Sequence, residues 1–326
     1  MKTSDLSERA LIARLRARVP TPPEWVLTGI GDDAAVLKPA RGMVDVVTTD
    51  ALVETVHFRR DWSTAADIGH KAMAANISDL ASMGATPRAV LLSLAVPADY
   101  PLADFDALVG AVIDTAAAAR APLVGGNLTR AAGALMVDIT AIGAVRPRRV
   151  MRRAGARPGD RLFVTGRLGA AAAGLRLLTA GAGGDTGESL TDEMAECVAT
   201  HRRPTARLRT GTIVANNRAA SACMDLSDGL ADAVSQICEA SGCGAEITRG
   251  AVPAHPGATP DEALAGGDDY ELLFAVPKRR VRKFLAAIGQ AGETGATDIG
   301  VCTKATEVVL VDGEIRSPLP DGFRHF

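Results

Sequence analysis

The chain has 326 residues, 47 % of them apolar and only 3 % aromatic, with a formal net charge of −2. That length suits two moderate domains or one large one. Its interspersed, nearly balanced charge excludes bulk attachment to nucleic acid, which would need a strongly basic face.

The chain opens on SDLSERALIARLRARV (4–19), where Leu, Ile and Val recur at helical spacing among charges. This predicts an amphipathic helix, without the continuous apolar core of a signal peptide. No segment reaches the ~18 apolar residues of a membrane span, so no membrane association is expected. Next comes LTGIGDDAAVL (27–37), with Asp32 and Asp33 between a Gly-x-Gly pair and an apolar run. Alone, such a doublet reads more readily as a turn than as a ligand.

Strands are predicted at MVDVVTTD (43–50), AVLLSLAV (89–96) and ALMVDITAIGAV (134–145). Between the first two, residues 63–85 predict a helix that Ser63 or Thr64 can cap and Gly84 ends. A second helix fits 102–119. RPRRVMRRAGARPGD (146–160) holds six arginines, two prolines and two glycines, which places a domain junction near 148. It reads as a solvated linker or as a segment that reaches a phosphate site. The pattern then restarts: strand RLFVTG, a helix opening on glycine, a Gly-rich loop (181–187), and a helix near 204–215. CMDLSDGLADAVSQICEA, strand YELLFAV and a helix over 278–289 follow. Two mixed α/β halves are expected, 1–148 and 149–326.

Five cysteines (Cys197, Cys223, Cys238, Cys243, Cys302) form an odd set without a CxxC pair. That argues against a disulfide framework or a zinc site and for a reducing, cytoplasmic setting. No Gly-x4-Gly-Lys-Ser/Thr loop and no protein-kinase signature set occurs. The turn TGRLGAAAAG can offer free N–H groups to an anion, although close strand–helix packing explains its glycines equally well. The acids say more. Asp33, Asp50, Asp79, Asp225, Asp228, Asp268 and Asp269 stand mostly at strand ends or helix starts beside Gly, Ser or Thr. Asp225, Ser227 and Asp228 can simply cap the next helix. Asp79 lies three residues after Asn76 on a mostly apolar helix, where a buried carboxylate needs a partner. Several carboxylates without matching lysines, and without a His/Cys cluster, favour Mg²⁺ bridging to phosphates.

GIGDDAAV, TTDALVETVHF, KAMAANISDLASMGATP, RAGARPGDRLFVTGRLG, MDLSDGL and GGDDYELLF occur in that order across nearly the whole chain. Jointly they resemble the thiamine-monophosphate kinase family of the aminoimidazole ribonucleotide synthetase-like superfamily. The resemblance implies an α/β (α+β) two-domain fold. Its N-terminal domain would bind ATP and magnesium and pair with a second copy into a dimeric β-barrel; a C-terminal α/β domain would follow. ATP would bind between subunit and domain surfaces.

Carried over position by position, the resemblance makes Asp33, Thr48, Thr49, Asp50, Asp79, Asp225 and Asp228 magnesium ligands. Gly126 and Asn127, read as a GGN turn, would touch ATP with Arg153 and Ser227, while His57, Asp268 and Phe323 would line the thiamine phosphate pocket. Two positions depart from the family. Asp268 replaces a usual Glu, which shortens that contact by a methylene. Asn127 replaces a usual Asp that binds magnesium; Asn still offers a carbonyl oxygen, but no charge.

The implied reaction is phosphoryl transfer from ATP to thiamine monophosphate, the last step of thiamine diphosphate biosynthesis, assisted by several Mg²⁺ ions. A phosphate monoester is mostly dianionic at neutral pH, with a second pKa near ~6, so no general base is expected. Thiamine carries a cationic thiazolium ring on which Phe323 can stack. Selenophosphate synthetases use a reactive Cys or Sec near the N-terminus, whereas the first cysteine here is Cys197. The alternative from another class is a non-catalytic nucleotide-binding dimer, marked by Asn127.

Overall fold

The computed structural model describes residues 1–181 and 190–322. The chain divides into two compact units, one of residues 1–80 and 86–147, the other of residues 81–85 and 148–326.

The first unit begins with α1 (Glu8–Arg16), which Ser7 caps by accepting the Ala10 N–H. A two-stranded antiparallel pair follows, β1 (Val26–Thr28) and β2 (Val36–Leu37). The main sheet takes β3 (Val44–Val53), then α2 (Ala65–Ser82), β4 (Thr86–Pro97), α3 (Leu102–Ala118), β5 (Leu123–Ala131) and β6 (Met136–Val145). Its order is β3-β6-β4-β5. β3 runs antiparallel to β6, and β6 to β4, whereas β4 and β5 are parallel, as the α3 crossover between them requires.

α2 starts where the sequence puts it. Thr64 and Asp67 exchange side chain-to-backbone bonds of 3.1 and 3.2 Å, a capping box. Gly84, at φ +69°, turns the chain after the helix. Alternate residues of the strands go to a core that includes Met73, Leu80, Leu94, Phe105, Leu108 and Ile139.

One expectation is corrected here. Gly126 and Asn127 are not a turn; they lie inside β5, in register with Leu92 and Ser93 of β4. A Cβ on Gly126, whose φ is +151°, would fall 1.8 Å from the Leu92 carbonyl oxygen, so the strand can run this close only with glycine there.

The second unit contains β7 (Arg161–Thr165), α4 (Ala170–Thr179), α5 (Asp192–Arg202), α6 (Leu208–Asn217), β8 (Ala222–Asp225), α7 (Leu230–Ser241) and β9 (Gly244–Thr248). It continues with α8 (Pro260–Ala265), β10 (Leu272–Val276), α9 (Val281–Ala291), β11 (Ala296–Thr303), β12 (Val308–Asp312) and β13 (Ile315–Pro318). The seven strands lie in the order β13-β12-β9-β11-β7-β10-β8.

Every residue of β10 is buried because both faces of the sheet are covered. Leu162, Val164, Leu273 and Ala275 pack with Val234 and Ile237 of α7. Phe163, Leu272, Phe274 and Val276 pack with Val214 of α6 and Phe284 and Ile288 of α9. Phe284 stands 5.0 Å from the Phe163 ring centre and 5.2 Å from that of Phe274, separations typical of favourable aromatic pairs. Among the described residues no helix is long and apolar enough to cross a membrane.

Candidate functional site

In the first unit the TTD and NISDL motifs meet. The Thr48 hydroxyl donates a hydrogen bond to Asp79, which ties β3 to α2. Side chains alternate along a strand, so Asp50 shares the face of Thr48, and Thr49 points the other way. Thr49 Oγ1 lies 3.2 Å from Asp138 Oδ1, from the Ile139 carbonyl and from Thr140 Oγ1. The expected ligands of β3 thus divide between two faces of the sheet. Asn127 is exposed and in register with Ser93, which is in register with Asp138, so one polar row crosses three strands.

Asp33 is exposed in the turn between β1 and β2. Its N–H donates to Asp32 Oδ1 at 2.9 Å, which gives Asp32 the work of shaping the turn. His57 closes the loop after β3. Its Nδ1 accepts the Val53 N–H at 3.0 Å, leaving Nε2 as the protonated, donating nitrogen of a neutral ring. Lys71, 3 % exposed on α2, donates to the His57 carbonyl at 3.2 Å. The sequence reading overlooked Lys71, although a lysine on an otherwise apolar helical face was its signal.

In the second unit the DLSDGL and GGDDYEL motifs are bound along their main chains. Asp268 N–H donates to the Ser227 carbonyl at 2.7 Å, Tyr270 N–H to that of Leu226 at 3.1 Å, and Leu226 N–H to that of Glu271 at 2.8 Å. A Cβ on Gly267 would lie 2.5 Å from the Ser227 oxygen, so the glycine is what permits the approach. Asp225 ends β8 and is 3 % exposed; Ser227 and Asp228 are half-buried. The cap of α7 is Gly229, with no side-chain capping bond. None of Asp225, Ser227 and Asp228 therefore occupies the N-cap position itself.

Asp268 and Tyr270 have φ of +67° and +50°, the left-handed region that costs a non-glycine residue energy and gathers at functional sites. The Tyr270 hydroxyl donates to Asp268 Oδ1 at 3.2 Å, and His201 Nδ1 stands 4.0 Å from Asp268 Oδ2. Arg153 donates to Gln236 of α7, and Gln236 donates to Asp232 at 2.5 Å, which holds Arg153 along that helix. Phe323 lies outside the described residues.

The glycine turn before α4 carries an internal anion. Asp269 accepts the Gly169 and Ala171 N–H groups at 2.6 and 3.1 Å, occupying the donors an external anion would use. Burial, opposed by these bonds and reinforced by Glu271 and Asp268, pushes the Asp269 carboxyl up to about 7. Beside it Glu271, 3 % exposed, takes a bidentate bond from Arg207 and the Thr165 hydroxyl at 2.5 Å. Asp269, Glu271 and Arg207 border a cavity of ≈ 570 Å³ that Arg167 and His255 also line. His255 accepts at Nδ1 from the buried Cys197, 3.3 Å away. Burial raises that thiol, which suits a packed thiol rather than a nucleophile. Among the described residues no three His, Cys, Asp or Glu side chains gather into a ready metal cage.

Residues 31–145 match the N-terminal domain of AIR synthase related proteins and residues 157–313 match their C-terminal domain. A thiamine-monophosphate kinase of Synechococcus elongatus is 36 % identical in an alignment that covers 99 % of this chain and 97 % of that protein. The crystal structure of thiamine-monophosphate kinase from Stenotrophomonas maltophilia is similar with a TM-score of 0.83 and 34 % identity, covering 94 % of this chain and 96 % of that one. AaThiL complexed with AMPPCP and TMP follows with a TM-score of 0.76 and 29 % identity, covering 100 % and 99 %. The chain belongs to the AIR synthase related family and, within it, to the thiamine-monophosphate kinases.

Proposed function

We propose that the chain transfers the terminal phosphoryl group of ATP to the phosphate of thiamine monophosphate, giving thiamine diphosphate and ADP. The observation that carries this reading is end-to-end similarity to thiamine-monophosphate kinases, with TTD, NISDL, DLSDGL and GGDDYEL present in order.

The donor chemistry fits magnesium, since every candidate ligand offers oxygen and most are carboxylates. Asp33, Thr48, Asp50 and Asp79 would hold metal from the first unit, and Asp225 and Asp228 from the second. Asn127 would contribute an amide oxygen. The Thr49 hydroxyl turns away from Thr48, so a metal shared with Thr48 would meet Thr49 through its main chain. Bound magnesium would relieve repulsion between two polyanions and neutralise charge developing during in-line transfer.

The protein's own groups do the rest. Gly126, which lets β5 run close to Leu92 of β4, would offer its backbone to ATP beside Asn127. Ser227 and Arg153 hold phosphate oxygens, the guanidinium by charge-assisted bonds. His57 donates through Nε2, and Asp268, held by Tyr270, faces the thiamine phosphate. The acceptor is already dianionic, so no residue needs to take its proton.

The first domain, residues 1–148, would also form a homodimer. Supporting this, β3 is an edge strand of the sheet, and Met43, Val44 and Val47 beside and along it are 44, 40 and 63 % exposed, an edge that association would protect. Asn127 favours one second reading, a nucleotide-binding dimer that has lost catalysis. An assay with ATP, thiamine monophosphate and graded magnesium separates the two. Thiamine diphosphate forms under the first; ATP binds without product under the second.

A further inference from the structure

The arginine-rich segment after residue 146 and the run Lys278-Arg279-Arg280 come together in the second unit at the end of the sheet where β7 and β8 begin and β10 finishes. Asp225, Asp268 and Asp269 lie at the opposite end of the same strands, because β10 runs antiparallel to both β7 and β8. A depression of ≈ 590 Å³ is lined by Arg157, Lys278, Arg279 and Arg280. It adjoins a smaller one of ≈ 190 Å³ lined by Arg148, Arg149 and Arg218, the two sharing Ser221 and Arg280.

Among the described residues, the only acid bordering either depression is Asp160. It is 6 % exposed and already accepts the Ser221 hydroxyl at 2.6 Å and the Arg157 N–H at 3.1 Å. Among the described residues none of these seven cations forms an ion pair, although Arg149 donates to Asn216 at 2.6 Å. Part of the cluster has a local explanation: Arg149 and Arg218 lie at the C-terminus of α6, the negative end of its dipole.

Lys278, Arg279 and Arg280 have the opposite relation to α9. They lead into its N-terminus, where no side chain caps the helix and its first turn holds no acid. Arg282 and Lys283 add further positive charge. Cations at the positive end of a helix repel its dipole as well as each other. The 11-residue helix adds its own uncapped N–H groups to the same field. An anion with several charges would relieve all three costs together.

The shape selects the class of anion. The cations ring a concavity of ligand size rather than forming a stripe, and among the described residues neither depression is lined by an aromatic on which a base could stack. We propose that this basic depression is a second, non-catalytic site for a small compound carrying two or three linked phosphates. Such a chain could belong to a nucleotide, to a diphosphate ester such as the product proposed above, or to free polyphosphate. The phosphates would be held by Arg157, Arg279 and Arg280 through charge-assisted bonds.

Calorimetric titration of the full chain in EDTA at low salt tests this, with inorganic triphosphate, ATP and thiamine diphosphate in parallel. EDTA removes the divalent ions that the proposed kinase site requires, so failure here leaves that reading intact. The site predicts saturable binding of at least one of the three with a Kd below about 1 mM, weakening as salt is added. Arg279→Gln/Arg280→Gln, and separately Arg157→Gln, should weaken it at least about tenfold, or ~1.4 kcal/mol, with unchanged circular dichroism. The ranking of the three compounds identifies the source of the phosphates. Absence of saturable binding to any of them, or equal binding by wild type and both folded variants, overturns the proposal.

Discussion

The Thr48 hydroxyl donates to the Asp79 carboxylate, so strand β3 and helix α2 are joined through two of the oxygens proposed to hold magnesium. Both residues belong to motifs the family resemblance identifies, and the bond brings them together. It also separates two effects of mutation. Losing Thr48's bond costs about 1 kcal/mol of stability, whereas losing the Asp79 charge removes a metal ligand.

Asp79→Asn should therefore fold but lose activity. Charge stabilisation by a metal is worth several kcal/mol, so kcat/KM should fall at least about a hundredfold. Thr48→Val should melt slightly earlier and lose much less activity. Steady-state kinetics with a thermal melt on both variants makes the comparison.

Asn127 lies in β5, in register with Ser93, which faces Asp138. Asn127→Asp returns a charge to that row and should lower the magnesium concentration giving half-maximal rate. Magnesium titrations of the rate check this; an unchanged midpoint means Asn127 does not meet the metal.

Asp269 carries a pH signature. Its carboxyl titrates near 7 in the folded chain, against an ordinary 3.8, so between those values the folded state binds more protons than the unfolded one. Stability contributed by the protonated form is full below about 4 and is lost as pH rises through 7. The difference is worth roughly 4 kcal/mol at most. Denaturant melts from pH 4.5 to 8 should show falling stability, and Asp269→Asn should flatten that slope.

The Glu271 carboxylate is buried against Arg207, and Gly166 makes room for it. A Cβ on Gly166 would lie 2.0 Å from Glu271 Oε1, and its φ is +62°. Arg207→Met leaves that carboxylate without its cation and should cost about 3–5 kcal/mol. Gly166→Ala should destabilise too, with urea midpoints as the readout.

How much of this was legible depended on whether local pattern or long-range pairing decided each element. The periodic segments 43–50, 63–85, 89–96, 102–119 and 134–145 correspond to β3, α2, β4, α3 and β6, because burial on one face leaves a repeat in the sequence. β5 left none. Gly125, Gly126 and Asn127 are poor strand formers, and only pairing with β4 makes them a strand. α5 was missed because Asp192–Arg202 is mostly polar, with Cys197, Val198 and His201 its buried contacts.

The site shows the same division. Motif order identified the acids, but not that Ser227 and Leu226 would accept main-chain bonds from Asp268 and Tyr270. Nor did it place Asp269 in the turn before α4, where the glycines had left an outside anion and close packing equally open. Both contacts join residues far apart in the chain, and no local spacing encodes them.

The most direct test follows the phosphoryl group itself. ATP labelled in its terminal phosphate is mixed with the purified chain, thiamine monophosphate and magnesium, and the products are separated. The account predicts label in the outer phosphate of thiamine diphosphate, one ADP per labelled product, none without magnesium, and none left on the protein. ATP binding without labelled thiamine diphosphate at any magnesium concentration would contradict it.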